Sequence, residues 1–236
     1  MKNSIKNIAV LVLTMVAFIG CSKPDEPDNG GNNVTPTDEH QYVDLGLPSG
    51  TLWASCNVGA NSPEERGSYF AWGETETKEM YDWKQYKYCT VENNVYVLTK
   101  YCADSSYGFN GFVDTLRVLE PMDDAARANW GDNWRMPTKE EWEELLRETT
   151  DTLTEQNGVE GRFFTGSNGN SLFLPNTGFF LDDEVICPNL GIYWSSTLQT
   201  TFQIVAWSYH SDIDECHVCG TYERSRGQCV RAVRAK

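Results

Sequence analysis

The stretch GDNWRMPTKEEWEELL, residues 131–146, carries the strongest local folding signal in the chain. Thr138 and Glu141 have the spacing of a capping box, in which the Thr oxygen accepts from the N3 amide and the Glu side chain accepts from the Thr amide. Apolar residues then recur at i, i+3 and i+4, which makes one apolar face: Trp142, Leu145 and Leu146. We therefore predict a surface helix over 138–148 with one buried stripe.

A second, shorter helix is predicted immediately upstream, in EPMDDAARANWG, residues 120–131. Asp123 is expected to cap its N-terminus, and Gly131 is expected to end it in the left-handed conformation. Apolar residues recur every four positions and predict a buried stripe: Met122, Ala126 and Trp130.

Short strands and tight turns surround these two helices. Residues 42–60 predict two strands around the turn Pro48-Ser49-Gly50, and Asn168-Gly169 lies between apolar runs, as in a β-hairpin. Further strand candidates are GSYFAWGET, GIYWSS, FQIVAWSY and CVRAVRA. Strands followed by two short helices and more strands indicate one α+β domain over 41–236, with a curved antiparallel sheet and long loops.

The N-terminus has the features of an export signal. Residues 1–20 combine a short basic start with an apolar run too short to span a bilayer, as in a signal peptide. Gly20-Cys21 resembles a bacterial lipobox, in which the Cys21 thiol receives diacylglycerol, although Phe18 stands where Leu is common. The alternative is ordinary secretion, with Cys21 as a disulfide partner.

Residues 22–40 are rich in Pro, Gly, Asn and acidic side chains. Such a segment buries too little apolar surface to offset the entropy of ordering, so 21–40 is predicted to be a lipid-anchored flexible tether. The acidic residues after Cys21 resemble the surface-export signal of Bacteroidetes lipoproteins. We therefore expect an outer-membrane protein that faces outwards, with a periplasmic orientation as the alternative.

The charge of the chain excludes one class of partner. Its formal net charge is −15, and removal of Lys2 and Lys6 from the 19 basic residues leaves 17 against 34 acidic ones. A strongly acidic chain repels phosphate backbones, so we expect no nucleic-acid partner.

Seven cysteines follow Cys21, and export favours their oxidation to disulfides. Because seven is odd, at least one thiol is free or pairs between chains. Cys89 and Cys102 flank a predicted hairpin, but a turn centred on Asn93 would place Cys89 nearer Val97, so their pairing needs a shifted register. The candidate disulfide cysteines are Cys89, Cys102, Cys216, Cys219, Cys56 and Cys229.

The segment HSDIDECHVC, residues 210–219, concentrates metal-ligand residue types. A zinc site usually needs a second ligand pair at a defined spacing, and the sequence offers none. We interpret 210–219 as a polar loop closed by one or two disulfides through Cys216 and Cys219, and we predict no metal and no cofactor.

Six blocks occur in the order typical of the Fibrobacter succinogenes major paralogous domain family, and the chain resembles that family over nearly all of 42–234. The blocks are DLGLPSGTLWASCNVGA, YFAWGET, DDAARANWGDNWRMPTKEEWEELL, FLPNTGF, YWSST and VRAVR. Through WRMPTKEEWEELL the family is similar to the formylglycine-generating (sulfatase-modifying) enzymes. The resemblance implies a C-type-lectin-like fold with paired N- and C-terminal strands, which would bring Cys56 and Cys229 close together.

The chemistry of those enzymes does not transfer with the fold. They oxidise a substrate cysteine with a copper-binding cysteine pair, whereas Cys229 stands alone in RGQCVRAVR. The chain also lacks the Glu-Pro-Asn type of motif of calcium-dependent lectins. Calcium-free binding through aromatic loops is compatible with the sequence, and the candidate rings are Tyr81, Trp83, Tyr86, Trp207 and Tyr209.

We therefore expect a surface lipoprotein with a non-catalytic lectin-like domain for binding or adhesion. Its ligand would be a glycan, a host protein or an envelope component. The first alternative is a structural cell-envelope or fimbrial tip subunit. A weaker alternative is a metal-dependent oxidase of the formylglycine-generating type.

Overall fold

A computed structural model describes residues 40–236. The predicted signal peptide 1–20, the predicted lipidation site Cys21 and the predicted tether up to residue 39 lie outside the described residues. Within 40–236 no helix is long and apolar enough to cross a membrane.

The described residues are mostly β-sheet with two α-helices, α1 (Ala125–Trp130) and α2 (Lys139–Glu148). The strands in chain order are β1 (Tyr42–Asp44), β2 (Leu52–Ala54), β3 (Tyr69–Phe70), β4 (Cys89–Glu92), β5 (Val95–Leu98), β6 (Thr150–Gln156), β7 (Val159–Thr165), β8 (Ser171–Pro175), β9 (Phe179–Leu181), β10 (Glu184–Ile186), β11 (Gly191–Leu198), β12 (Val205–Ser211), β13 (Cys216–Glu223), β14 (Gln228–Cys229) and β15 (Val233–Arg234).

The largest sheet has five strands in the order β13-β12-β11-β14-β3. Its pairs are antiparallel except for β11 with β14, so the expected antiparallel sheet contains one parallel pairing. A three-stranded sheet joins the two ends of the domain, because β15 pairs with β2, which pairs with β1. The pairing of the terminal strands is as the family resemblance implied.

Helix α2 forms as its sequence predicts. Thr138 is the N-cap, its side chain accepts from the Glu141 amide, and Glu141 accepts from the Thr138 amide at 2.9 Å. The apolar stripe faces inward, with Trp142 and Leu145 fully buried and Leu146 partly buried. The cap fixes where the helix begins, and the stripe fixes which face it buries.

Helix α1 differs from its prediction at the N-terminus. Asp124, and not Asp123, caps the helix by accepting from the Arg127 amide at 3.1 Å. Residues 121–123 form a separate 3-10 turn, so Met122 falls out of the helical register and is exposed. The predicted apolar stripe therefore begins at Ala126. Gly131 ends the helix with a positive φ of 92°, but its ψ of 175° is extended and is not that of the predicted left-handed conformation.

Two tight turns set the register of the hairpins. The β6–β7 turn is Asn157-Gly158, with φ of 50° and 83°, and the sequence prediction missed it. The β4–β5 turn is Asn93-Asn94, with φ of 51° and 64°. Both positive φ values are those of a type I′ turn. The latter turn places Cys89 opposite Leu98 and not Val97, one residue from the predicted register.

Two hydrophobic clusters form the core. One lies around Trp72, Trp134 and Trp194, and includes α1 and the loops that follow β3. The other lies around Trp53 and Trp142, and joins α2 to the inner faces of the sheets. Aromatic rings fill both clusters, which explains why so many of the Trp and Tyr residues are structural.

Candidate functional site

A groove of about 360 Å³ opens where four segments of the chain meet. The segments are the loop after β3, strand β5, the β9–β10 turn and the loop between β13 and β14. The lining residues are Asp82, Trp83, Tyr96, Leu181, Asp182, Glu223, Ser225 and Arg226. The groove thus combines two aromatic rings with three carboxylates.

Backbone hydrogen bonds hold together three of these segments: the loop after β3, the β9–β10 turn and the loop between β13 and β14. The Tyr81 amide donates to the Asp182 carbonyl at 2.8 Å, and the Phe180 amide donates to the Gly227 carbonyl at 2.7 Å. A Cβ on Gly227 would lie 2.8 Å from the Tyr81 ring, so glycine lets the two loops approach. The walls formed by these three segments are therefore preformed, which lowers the entropic cost of binding a ligand.

The groove carries more negative than positive charge. Arg226 pairs with Glu223 at 2.6 Å, and the Asp82 carboxylate accepts from the Gln85 amide at 2.8 Å. Asp182 is exposed in the β9–β10 turn with φ of 55°. Three carboxylates against one guanidinium disfavour an anionic ligand and offer acceptors to a ligand rich in hydroxyl groups.

Three of the five aromatic residues proposed from the sequence are core residues. Tyr81, Tyr86 and Tyr209 are buried. The Tyr81 hydroxyl donates to the Tyr69 carbonyl at 2.5 Å, and burial raises the pKa of Tyr81 to about 12. Tyr209 stacks on Trp142 at 4.8 Å. Their hydrophobic surroundings leave no ring face for a ligand, so these three assignments were wrong.

The other two proposed rings differ from each other. Trp83 is partly buried, meets Tyr86 edge to face at 5.4 Å and lines the groove. Trp207 is also partly buried, but the Lys139 ammonium covers its ring at 4.8 Å from the centroid. Tyr96 was missed, although it is an exposed aromatic residue beside the Asn-Asn turn of β4–β5.

Residues 210–219 form a β-hairpin and not the expected polar loop. His210 in β12 is directly opposite His217 in β13, and Cys219 follows His217 by two residues on the same strand face. Ligand atoms of these three side chains lie within 4.8 Å of one another. Strand pairing therefore brings together a set of metal-ligand types that the sequence spacing alone does not reveal.

The same hairpin contradicts a disulfide between Cys216 and Cys219. The two cysteines are three residues apart in one regularly paired strand. Such a separation spans about 10 Å and places the side chains on opposite faces, whereas a disulfide needs Cα atoms within about 7 Å. Cys216 packs against the Trp142 cluster, and Cys219 lies on the other face with His217.

The remaining candidate cysteines are thiols in this structure, so the pairings Cys89–Cys102 and Cys56–Cys229 stay predictions. Cys229 is fully buried opposite Tyr69, and burial raises its pKa to about 12. The Cys102 thiol donates to the Asp104 carbonyl at 3.1 Å.

Comparison of the chain with family models, with curated proteins and with solved structures finds no match.

Proposed function

We propose that the chain is a surface lipoprotein whose domain binds a glycan without catalysing a reaction. The observation that carries the proposal is the groove in which Trp83 and Tyr96 accompany Asp82, Asp182 and Glu223. Aromatic rings stack on the apolar C–H faces of sugars, and carboxylates accept hydrogen bonds from sugar hydroxyl groups. Few other neutral ligands use both kinds of contact at once.

The proposed fold is C-type-lectin-like, as in the Fibrobacter succinogenes major paralogous domain family that the sequence resembles. The paired terminal strands β2 and β15 support this proposal. The two short helices and the long loops that line the groove are further support.

Absence of catalysis is supported by the environment of Cys229, the only cysteine in the matching C-terminal block. Its thiol is fully buried and its pKa is raised to about 12. A catalytic or metal-binding cysteine acts as the thiolate and needs access to its substrate. A buried, protonated thiol provides neither.

The localisation is proposed from Cys21 as a lipid-anchored outer-membrane protein that faces outwards. Cys21→Ser should release the protein from membranes, as measured by fractionation of cells, because lipid attachment requires the thiol. Retention of the variant in the membrane fraction would contradict the lipoprotein proposal. Protease accessibility of intact cells distinguishes the outward from the periplasmic orientation.

Binding is tested with the full-length chain in detergent on glycan and mucin arrays. Trp83→Ala should weaken binding at least about tenfold, equivalent to about 1.4 kcal/mol, because the ring supplies the stacking face. Trp207→Ala is the matched control, since Trp207 is also half-buried but lies outside the groove. The proposal fails if no array component binds, or if both variants bind as well as wild type.

A structural envelope or fimbrial tip subunit is the second candidate, and one observation favours it. Val91 and Val95 flank the β4–β5 turn and are 56% and 62% exposed. Val91 pairs with the groove residue Tyr96, whereas Val95 pairs with Glu92 and lies on the other face of the hairpin. An exposed apolar side chain on that face suits a protein contact. Crosslinking in cells should then recover a stoichiometric envelope partner, and Val95→Lys should abolish that crosslink while leaving glycan binding intact.

A further inference from the structure

The outer face of the β12–β13 hairpin carries three side chains of types that commonly bind transition metals in proteins. The histidine face is defined here as His210, His217 and Cys219. His210 and His217 are cross-strand partners, so the backbone ladder fixes their separation. All three residues are only partly buried, which leaves a path from solvent.

The distances on the histidine face match those of a tetrahedral site. His210 Nδ1 and His217 Nε2 are 3.4 Å apart. Two nitrogens at about 2.0–2.1 Å from one zinc ion, at the tetrahedral angle, are separated by about 3.3–3.4 Å. The Cys219 sulfur lies within 4.8 Å of one nitrogen of each ring, and a tetrahedral site needs about 3.6 Å.

The second nitrogen of His217 supports the same assignment. His210 Nε2 and His217 Nδ1 are buried and make no hydrogen bond. His217 Nδ1 faces the Glu215 carboxylate at 3.7 Å. Histidines that bind metals commonly direct their other N–H to a carboxylate, which fixes the ring orientation. Glu215 is placed to take that positioning role.

A hydrogen bond between the two rings is the competing explanation for the 3.4 Å distance. It would join the same two nitrogens that a metal ion would take, and it would leave out the Cys219 sulfur, whose hydrogen-bond partner is the Thr221 hydroxyl at 3.4 Å. The 3.4 Å separation of the two nitrogens is long for a hydrogen bond, whereas it matches two nitrogens on one zinc ion. A metal ion uses all three donors.

We propose that His210, His217 and Cys219 bind one Zn²⁺ ion or a similar borderline-soft divalent cation, with a water molecule in the fourth position. The nitrogen and sulfur donors select this class over Mg²⁺ and Ca²⁺, which take oxygen ligands. Binding displaces the thiol proton of Cys219. The ion would clamp β12 to β13 and leave one coordination position open to solvent.

The test is titration of the reduced full-length chain with Zn²⁺ in competition with a chromogenic chelator. Wild type should bind one equivalent. His210→Gln, His217→Gln and Cys219→Ser should each lower the affinity by about 100-fold or more, and Glu215→Gln by about tenfold. Co²⁺ in place of Zn²⁺ should show a thiolate charge-transfer band that Cys219→Ser removes.

Cys216→Ser is the matched control, because Cys216 is on the same strand but on the opposite face. It should bind Zn²⁺ as wild type does. Zn²⁺ should also protect Cys219, but not the exposed Cys187, from alkylation. The proposal is overturned if wild type binds no better than the triple variant that combines His210→Gln, His217→Gln and Cys219→Ser, or if Cys216→Ser weakens binding as much as Cys219→Ser. It is also overturned if Cys219 does not react with the alkylating reagent in the metal-free protein.

Discussion

The α2 block, residues 131–148, and the histidine face of the β12–β13 hairpin differ in how their polar groups are hydrogen-bonded within the protein. In the α2 block, Arg135 holds Glu141 through two hydrogen bonds of 2.6 and 2.5 Å. The indole N–H of Trp142 donates to the Trp194 carbonyl at 3.3 Å. On the histidine face, two buried ring nitrogens make no hydrogen bond, and one of them, His217 Nδ1, only faces the Glu215 carboxylate at 3.7 Å.

Buried polar atoms without a hydrogen bond also occur in the core, at the Trp53 indole nitrogen and the Tyr209 hydroxyl, so the clustering of three metal-ligand side chains is what distinguishes the histidine face. A polar group satisfied within the protein contributes to stability and leaves nothing for a ligand. An unsatisfied group costs stability unless something else binds it, and natural proteins tolerate that cost mainly at functional places. We therefore expect substitutions in the α2 block to change stability, and substitutions on the histidine face to change binding.

The largest effect is expected for Trp142→Ala. Trp142 is fully buried between Trp53 at 4.6 Å and Tyr209 at 4.8 Å. Its removal should lower the free energy of unfolding by about 3–5 kcal/mol, because it leaves a large cavity. Urea denaturation measures this. Trp207→Ala is the half-buried control, and an equal loss for both variants would contradict the argument from burial.

The next effect concerns Asp123, which is buried and accepts hydrogen bonds from Tyr88, from Tyr101 at 2.7 Å and from Lys100 at 2.6 Å. Although burial raises the pKa of Asp123, these partners outweigh it and lower the pKa from 3.8 to about 2. The stabilisation that ionised Asp123 contributes is therefore fully present above pH 3.8 and is lost as the pH falls through about 2.

A shift of this size corresponds to about 2 kcal/mol. Urea unfolding at successive pH values measures the free energy of unfolding of wild type and of Asp123→Asn. The difference between the two should narrow by that amount as Asp123 becomes protonated. A gap that stays constant down to the pKa would show that the ionised carboxylate does not stabilise the fold.

A smaller effect is expected at the cap of α2. Thr138→Ala removes the side-chain acceptor for the Glu141 amide and should cost about 1 kcal/mol. Thr138→Ser keeps the oxygen and should cost much less. Thermal or urea unfolding measures both variants, and equal losses would mean that the methyl group, and not the cap, is the stabilising part.

The smallest effect on stability is expected on the histidine face. His217→Gln in the metal-free protein should change the free energy of unfolding by less than about 0.5 kcal/mol, because the side chain is 42% exposed and makes no hydrogen bond through Nδ1. The same variant should lose Zn²⁺ affinity. A large loss of stability without metal would instead make His217 part of the scaffold.

Local signals in the sequence predicted local structure well where neighbouring residues alone decide it. The Thr138–Glu141 capping box formed, and the Asn168-Gly169 segment lies between two paired strands, β7 and β8. Met122 was assigned to a buried stripe because its spacing is helical. The helix begins after Asp124, however, so Met122 is outside it.

The candidate site was less predictable, because burial and strand pairing depend on distant residues. Tyr81 and Trp83 are neighbours in one loop, yet only Trp83 lines the groove, since Phe180 and Gly227 cover Tyr81. Tyr96 gave an available signal, because it is an aromatic residue two positions after the turn-forming pair Asn93-Asn94, and the sequence prediction missed it.

The sequence by itself determined the α2 helix, the paired residues of its cap and the chemical types of the possible ligands. These depend on contacts within a few residues of chain. Only the tertiary structure decided which rings are exposed and which donors meet. His210 and Cys219 are nine positions apart in the chain, and they become neighbours because antiparallel pairing aligns His210 with His217.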